Sequence, residues 1–177
     1  MPTNIIPCRL TLTQVKILKL FDQAAERGVK VDFDLYPYLT GSTQLVHLLP
    51  PQFQKGGIDA ICARLADPSC RKEITKVLKQ PSDIFENTVE LAGFDMIYAS
   101  TLHTEKFGSF AGQSIAKIAE QFGQDPYDTL YDILLAERCQ VTMLDTIASE
   151  EDMLYFLKDS RANLISDAIY PAGGKYH

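Results

Sequence analysis

At 177 residues and 46% apolar composition, the chain can build a real core, as one ordinary domain or as a piece of a larger one. A formal net charge of -6 argues against a nucleic-acid partner, whose phosphates call for basic surface. No run approaches the roughly 20 apolar residues that span a bilayer, and Met1 to Pro7 lack the regions of a secretory leader, so no membrane is expected. Cys8, Cys62, Cys70 and Cys139 form no CxxC pair. They read as reduced, mostly buried thiols of a cytoplasmic protein.

Thr13 to Arg27 is the first expected helix. Val15, Leu18, Phe21 and Ala25 recur at spacings of three and four, Ile17 and Leu20 widen that face, and Gly28 ends it. Val29 to Tyr36 alternates apolar and polar residues, which predicts a strand that Pro37 stops. Leu39 to Thr43 reads as a polar loop at the strand's C-terminal end. Short helices are expected over Ile58 to Ala66 and, after the Asp67-Pro68 break, on to Leu78. Asp95 to Ser100 predicts another strand.

Beyond Gly112 the pattern sharpens. Gln113 to Phe122 is a helix closed by Gly123. Asp125 at N-cap and Pro126 at the first helical position open the next, with Tyr127, Leu130, Tyr131 and Leu134 on its core face. Gln140 to Leu144 predicts a strand. Ser149 with Asp152 resembles a capping box ahead of a stripe of Met153, Phe156 and Leu157. Asn163 to Ser166 predicts the last strand. Helices alternating with strands argue for an α/β fold with parallel pairing.

Several residues are candidates for chemistry. Asp167 follows a buried-looking strand, where α/β folds bind ligands. It reads either as a general base or metal ligand, or as an aspartate capping the next loop. Asp34 and Tyr36 share one face of their strand, as an acid and a phenol for a bound group or as a hydrogen-bonded pair. His47, His103 and His177 stand far apart, and none pairs with another at zinc-ligand spacing. The Gly-Gly pairs at 56–57 and 173–174 lack the pattern of a phosphate loop.

A resemblance covers nearly the whole chain, from about Leu12 to His177. Val31-Asp32-Phe33-Asp34-Leu35-Tyr36-Pro37-Tyr38-Leu39-Thr40-Gly41-Ser42-Thr43, followed by Leu48-Leu49-Pro50-Pro51, resembles the D-aminoacylase family (N-acyl-D-amino-acid deacylases) of the amidohydrolase superfamily, which also holds the dihydroorotases. The likeness continues through Gly112 to Ala119, Asp125-Pro126-Tyr127-Asp128 and Ser149 to Asp152, and ends on Ile165-Ser166-Asp167-Ala168.

The resemblance implies a partial TIM-type barrel, about its last three βα units with parallel strands, carrying a mostly helical insertion. Residues 1–46 would hold the helix and strand of unit 6, residues 47–111 the insertion, and residues 112–177 units 7 and 8. The strands would be Asp34 onward as the sixth, Gln140 to Asp145 as the seventh and Asn163 to Asp167 as the eighth. The family hydrolyses the amide of N-acyl-D-amino acids with zinc. Asp167 would match the acid that binds the metal and shuttles the proton. Tyr36, Ser42, Thr43 and His177 would contact the substrate. Tyr36 stands where some relatives place a zinc-binding histidine.

The family's His-x-His pair and its other metal ligands have no counterpart in this sequence. The resemblance therefore implies a fragment, inactive alone and binding no zinc by itself, which joins further copies through exposed barrel edges as a homo-oligomer. The alternatives are a non-catalytic α/β interaction module, or one half of a split hydrolase.

Overall fold

The computed structural model describes residues 11–146 and 148–167. The chain divides into two compact units. One is Met1–Leu39 together with Ala148–His177, and the other is Thr40–Ile147. In chain order, the second interrupts the first.

In the interrupted unit, α1 (Thr11–Glu26) precedes β1 (Phe33–Leu35), and α7 (Glu150–Leu157) precedes β6 (Ala162–Leu164). β1 and β6 pair in parallel, with Phe33 opposite Ala162, Asp34 opposite Asn163 and Leu35 opposite Leu164. Helix α1 ends as its glycine requires. Gly28, at φ +78°, lets Val29 N–H return to Ala24 C=O at 3.0 Å and its own N–H to Ala25 C=O at 2.9 Å.

This unit is held by rings. Phe21 stacks on Phe33 at 5.3 Å, and Phe156 meets Phe33 edge-on at 6.1 Å. Gln14 donates its side-chain amide to Asp152, and both are buried. The face α1 buries is thus Gln14, Leu18 and Phe21, and the expected Val15, Ile17 and Leu20 stay exposed. In α7, Asp152 is buried instead of Leu157, although Met153 and Phe156 are half-buried as the stripe requires. Ser149 caps α7 by accepting the Asp152 N–H at 3.1 Å.

The inserted unit carries a four-stranded sheet in the order β2-β5-β3-β4. Its strands are β2 (Thr40–Gln44), β3 (Ile97–Ala99), β4 (Gln113–Ser114) and β5 (Thr142–Thr146). Every pair in it is antiparallel. The helices are α2 (Gly57–Ala66), α3 (Pro68–Leu78), α4 (Thr88–Ala92), α5 (Ile115–Phe122) and α6 (Pro126–Ala136). Asp67 caps α3 by accepting Ser69 N–H at 2.8 Å, Ser114 caps α5 from Lys117 N–H at 3.3 Å, and Asp125 caps α6 from Tyr127 N–H at 2.8 Å. Leu45, Leu49, Leu65, Ile74, Ile97, Ile115, Ile118, Leu130, Ile133 and Leu134 are fully buried, with Tyr131 among them.

The mixed α/β class agrees with the sequence, and the parallel pairing holds for β1 with β6. It fails elsewhere. The strand expected at Gln140 to Leu144 forms two residues later, and it lies antiparallel between β2 and β3. Its side chains explain the outcome. Met143 and Asp145 are buried while Leu144 between them is 37% exposed, the alternation of a sheet with one wet face. Leu39 to Thr43 is no loop beyond its first residue, because Thr40–Gln44 is strand β2 with alternating burial. The first strand is shorter than the Val29 to Tyr36 pattern, since Val29 is exposed. Asp95 to Ser100 reduces to Ile97–Ala99, and the last strand begins at Ala162 and ends at Leu164. Among the described residues Cys62, Cys70 and Cys139 are free thiols, the first and last buried and Cys70 half-buried; Cys8 lies outside those residues.

Candidate functional site

Parallel strands release the chain at the same end. Leu35 lies opposite Leu164, and Ile165 N–H extends the pairing to Leu35 C=O at 3.1 Å. Tyr36 follows β1 directly, and Asp167 follows β6 by three residues. The pairing therefore brings these two expected site residues to one carboxyl end of a two-stranded sheet.

Asp167 is exposed and left-handed at φ +48°, a conformation aspartate adopts more readily than most residues. Among the described residues its carboxylate has no hydrogen-bond partner. Tyr36 is half-buried, and its ring meets Tyr38 edge-on at 4.8 Å. Asp34 is exposed on β1 and paired in register with Asn163.

Ser42 and Thr43 are neighbours on β2, so their side chains leave opposite faces of the sheet. Ser42 is exposed opposite Leu144, and Thr43 is half-buried opposite Met143. Thr43 Oγ1 lies 3.2 Å from Nδ1 of the exposed His47. His103 is exposed too, and its backbone N–H donates to Glu137 at 3.0 Å. His177 lies outside the described residues. Among the described residues, no three of His, Cys, Asp and Glu come together in a group able to hold a metal ion. No helix among them is long and apolar enough to cross a membrane.

Three charged residues that sequence reasoning missed have built surroundings. Glu137, nearly buried at the end of α6, accepts Thr104 N–H at 2.9 Å, the Thr104 hydroxyl at 2.6 Å and the His103 amide. Burial opposes its charge, but those hydrogen bonds outweigh it and hold the carboxyl below the usual range. Asp145 is buried opposite Gly41 and Ile97. Burial first, and Glu86 next, push its carboxyl up. Arg161 binds Asp159, reaches Asp22 at 3.0 Å and covers the Phe21 ring at 5.6 Å. Its hydrogen bonds bring Asp159 down to about 2. In sequence only Asp145 is a lone charge among apolar residues; Glu137 stands beside Arg138, and Arg161 stands two residues after its partner Asp159.

No protein-family model matches the chain, and no curated protein matches it. Among solved structures it is similar to the N-acyl-D-glutamate deacylase of Bordetella bronchiseptica, determined with zinc and a phosphonate mimic of the tetrahedral intermediate. The identity is 16% and the TM-score 0.48, over 90% of this chain and 23% of that one. It is also similar to D-aminoacylase, described as defining a novel subset of amidohydrolases, at 17% identity and a TM-score of 0.43, over 86% of this chain and 22% of that one. A D-aminoacylase studied for its binuclear metal centre gives the same values. The chain thus spans less than a quarter of the length of these neighbours.

Proposed function

We propose that the chain is part of an amidohydrolase of the D-aminoacylase kind, which cleaves the amide of N-acyl-D-amino acids, and that β1 and β6 are neighbouring strands of its partial TIM-type barrel, with β5, expected as the seventh strand between them, belonging to the inserted unit's sheet instead. The observation that carries this reading is the parallel pair, which puts Tyr36 and Asp167 at one carboxyl end. Catalytic groups of barrel enzymes sit at that end of their strands. The sequence resemblance at Val31 to Thr43 and at Ile165 to Ala168 supports the same assignment.

In this reading Asp167 is the proton carrier. Its carboxylate takes a proton from the attacking water as the oxygen bonds to the acyl carbon. The resulting carboxylic acid then gives that proton to the departing nitrogen as the C–N bond breaks, which restores the carboxylate. In the same reading the Tyr36 hydroxyl donates to the developing oxyanion. Ser42, Thr43 and His177 remain substrate contacts in this proposal.

Zinc is the metal of the family that the sequence resembles. A zinc site takes three or four ligands, and the described residues offer the lone Asp167 at the strand end. The metal therefore does not fit a site built from these residues alone, and no step assigned to this chain runs through it. Association of further copies along the strands is part of the same proposal. Among the described residues each strand of the two-stranded sheet is paired on one side only, and Leu164 and Ile165 are 61% and 41% exposed.

The test is release of free amine from N-acetyl-D-amino acids, with the L-isomers as controls. It is made on the chain alone and on a polypeptide that adds the coding sequence upstream of it. Hydrolysis is expected in the longer polypeptide only, reduced by at least about a hundredfold in Asp167→Asn, the scale of losing a general base. A longer polypeptide that cleaves neither isomer, or that ignores Asp167→Asn, overturns the proposal.

One observation favours a second reading, an interaction module without chemistry. The buried apolar residues lie in Thr40–Ile147, so this unit has a core of its own.

A further inference from the structure

Helix α3 concentrates positive charge in an acidic chain. Arg71, Lys72, Lys76 and Lys79 follow one another at spacings of one, four and three, which turns them toward one side of the helix. Like charges at these spacings repel, so local helix stability does not account for the stripe. All four border a cleft of about 780 Å³ between α3 and the start of α6, within the inserted unit. That volume is the size of a small-molecule site.

The cations of the cleft differ in what already holds them. Arg71 is fixed: its Nε donates to Leu65 C=O at 2.6 Å, and its guanidinium meets Asp132 at 2.8 Å and Asp128 at 3.6 Å. Lys79 lies over the Tyr127 ring at 5.0 Å. Lys72 and Lys76 are exposed, and among the described residues neither forms an ion pair. The two carboxylates of the lining are engaged, Asp128 by Arg71 and Asp125 by the Tyr127 N–H. The cleft therefore presents two ammonium groups with no ion-pair partner among the described residues and a third on an aromatic face, beside the fixed Arg71.

We propose that this cleft binds a small phosphate-bearing ligand, held chiefly by Lys72 and Lys76. Lysine acts as a compact point charge that suits phosphate oxygens, whereas planar bidentate recognition of a carboxylate is the property of arginine, and Arg71 is already taken.

Calorimetric titration of the full chain with inorganic pyrophosphate at low ionic strength tests this. Citrate is the comparison anion. Saturable binding of pyrophosphate is expected, weakened about tenfold in Lys72→Gln/Lys76→Gln and strongly by 0.5 M salt. Circular dichroism checks that the variant is folded, and Lys55→Gln, outside the cleft, should leave the affinity unchanged. Absence of saturable binding overturns the proposal. So does equal binding by the double variant, or citrate binding as tight as pyrophosphate.

Discussion

The carboxylate of Glu137 accepts the backbone N–H of Thr104 at 2.9 Å, which ties the loop after β3 to the end of α6. With the Thr104 hydroxyl and the His103 amide on the same carboxylate, three donors share one acceptor group. Glu137→Ala leaves two loop amides without their partner. It should cost about 2 kcal/mol in a urea titration, the scale of hydrogen bonds to a charged group. The pH dependence follows from the depressed carboxyl. The contribution is complete above the unfolded pKa of about 4.3 and is lost as pH falls through the lower folded value. Wild type and Glu137→Ala should therefore converge in acid.

Asp145 has the opposite sign. Its folded pKa is raised, by burial first and by Glu86 next, so the folded state holds its proton more tightly than the unfolded chain. Its own contribution to stability is greatest below about pH 3.9, the unfolded value, and declines as pH rises through the higher folded one. Asp145→Asn removes the titration. At pH 7 it should stabilise the protein, because the carboxylate no longer has to be held charged in a buried position. The gain should vanish near pH 3, and a variant less stable than wild type at neutral pH would refute the account.

Arg161 organises the interrupted unit through Asp22, Asp159 and the Phe21 ring. Arg161→Ala should lower stability only modestly, as loss of a partly exposed ion-pair cluster does, and should raise hydrogen exchange in α1 and β6. Nuclear magnetic resonance gives a second readout. Asp159, held at about 2 in the wild type, should return to the ordinary aspartate range in the variant.

The inserted unit should fold as a separate polypeptide of residues 40–147, because its strands pair with one another and its core is its own. Leu65→Ala, at a fully buried position, should cost it about 2–5 kcal/mol. A 40–147 fragment that shows no cooperative unfolding transition would contradict this division of the chain.

Much of this architecture was legible in the sequence, for identifiable reasons. Helices α3 and α6 announce themselves through Asp67-Pro68 and Asp125-Pro126, and through faces such as Leu130 and Leu134, whereas the Ser114 cap that starts α5 was read as part of the helix. Asp167 was legible as a carboxylate beyond a strand, and its structural neighbourhood with Tyr36 follows from the register of that strand. Strand direction was not legible. Periodicity reports which side chains face inward, and Thr142–Thr146 has the same pattern whichever way its neighbours run. Strand β2 was hidden because Thr40, Gly41, Ser42 and Thr43 are turn-like in composition, yet cross-strand pairing with β5 settles their state. Glu137, Asp145 and the Arg161 contact with Asp22 depend on groups distant in sequence, which no local pattern encodes.

Thr40 and Thr146 are register partners across β2 and β5, and Ala148 N–H reaches Leu39 C=O at 3.4 Å just outside them. Chain entry and exit of the inserted unit thus lie side by side. For the kinetics of folding, this changes the cost of pairing β1 with β6. In an unfolded chain those strands close a loop on the order of a hundred residues, a slow event for a parallel pair. Once the inserted unit has folded, its ends are already neighbours, and the same loop shrinks to the length of a tight connection. The interrupted unit is therefore expected to acquire its sheet second, as a late and fast step gated by the first.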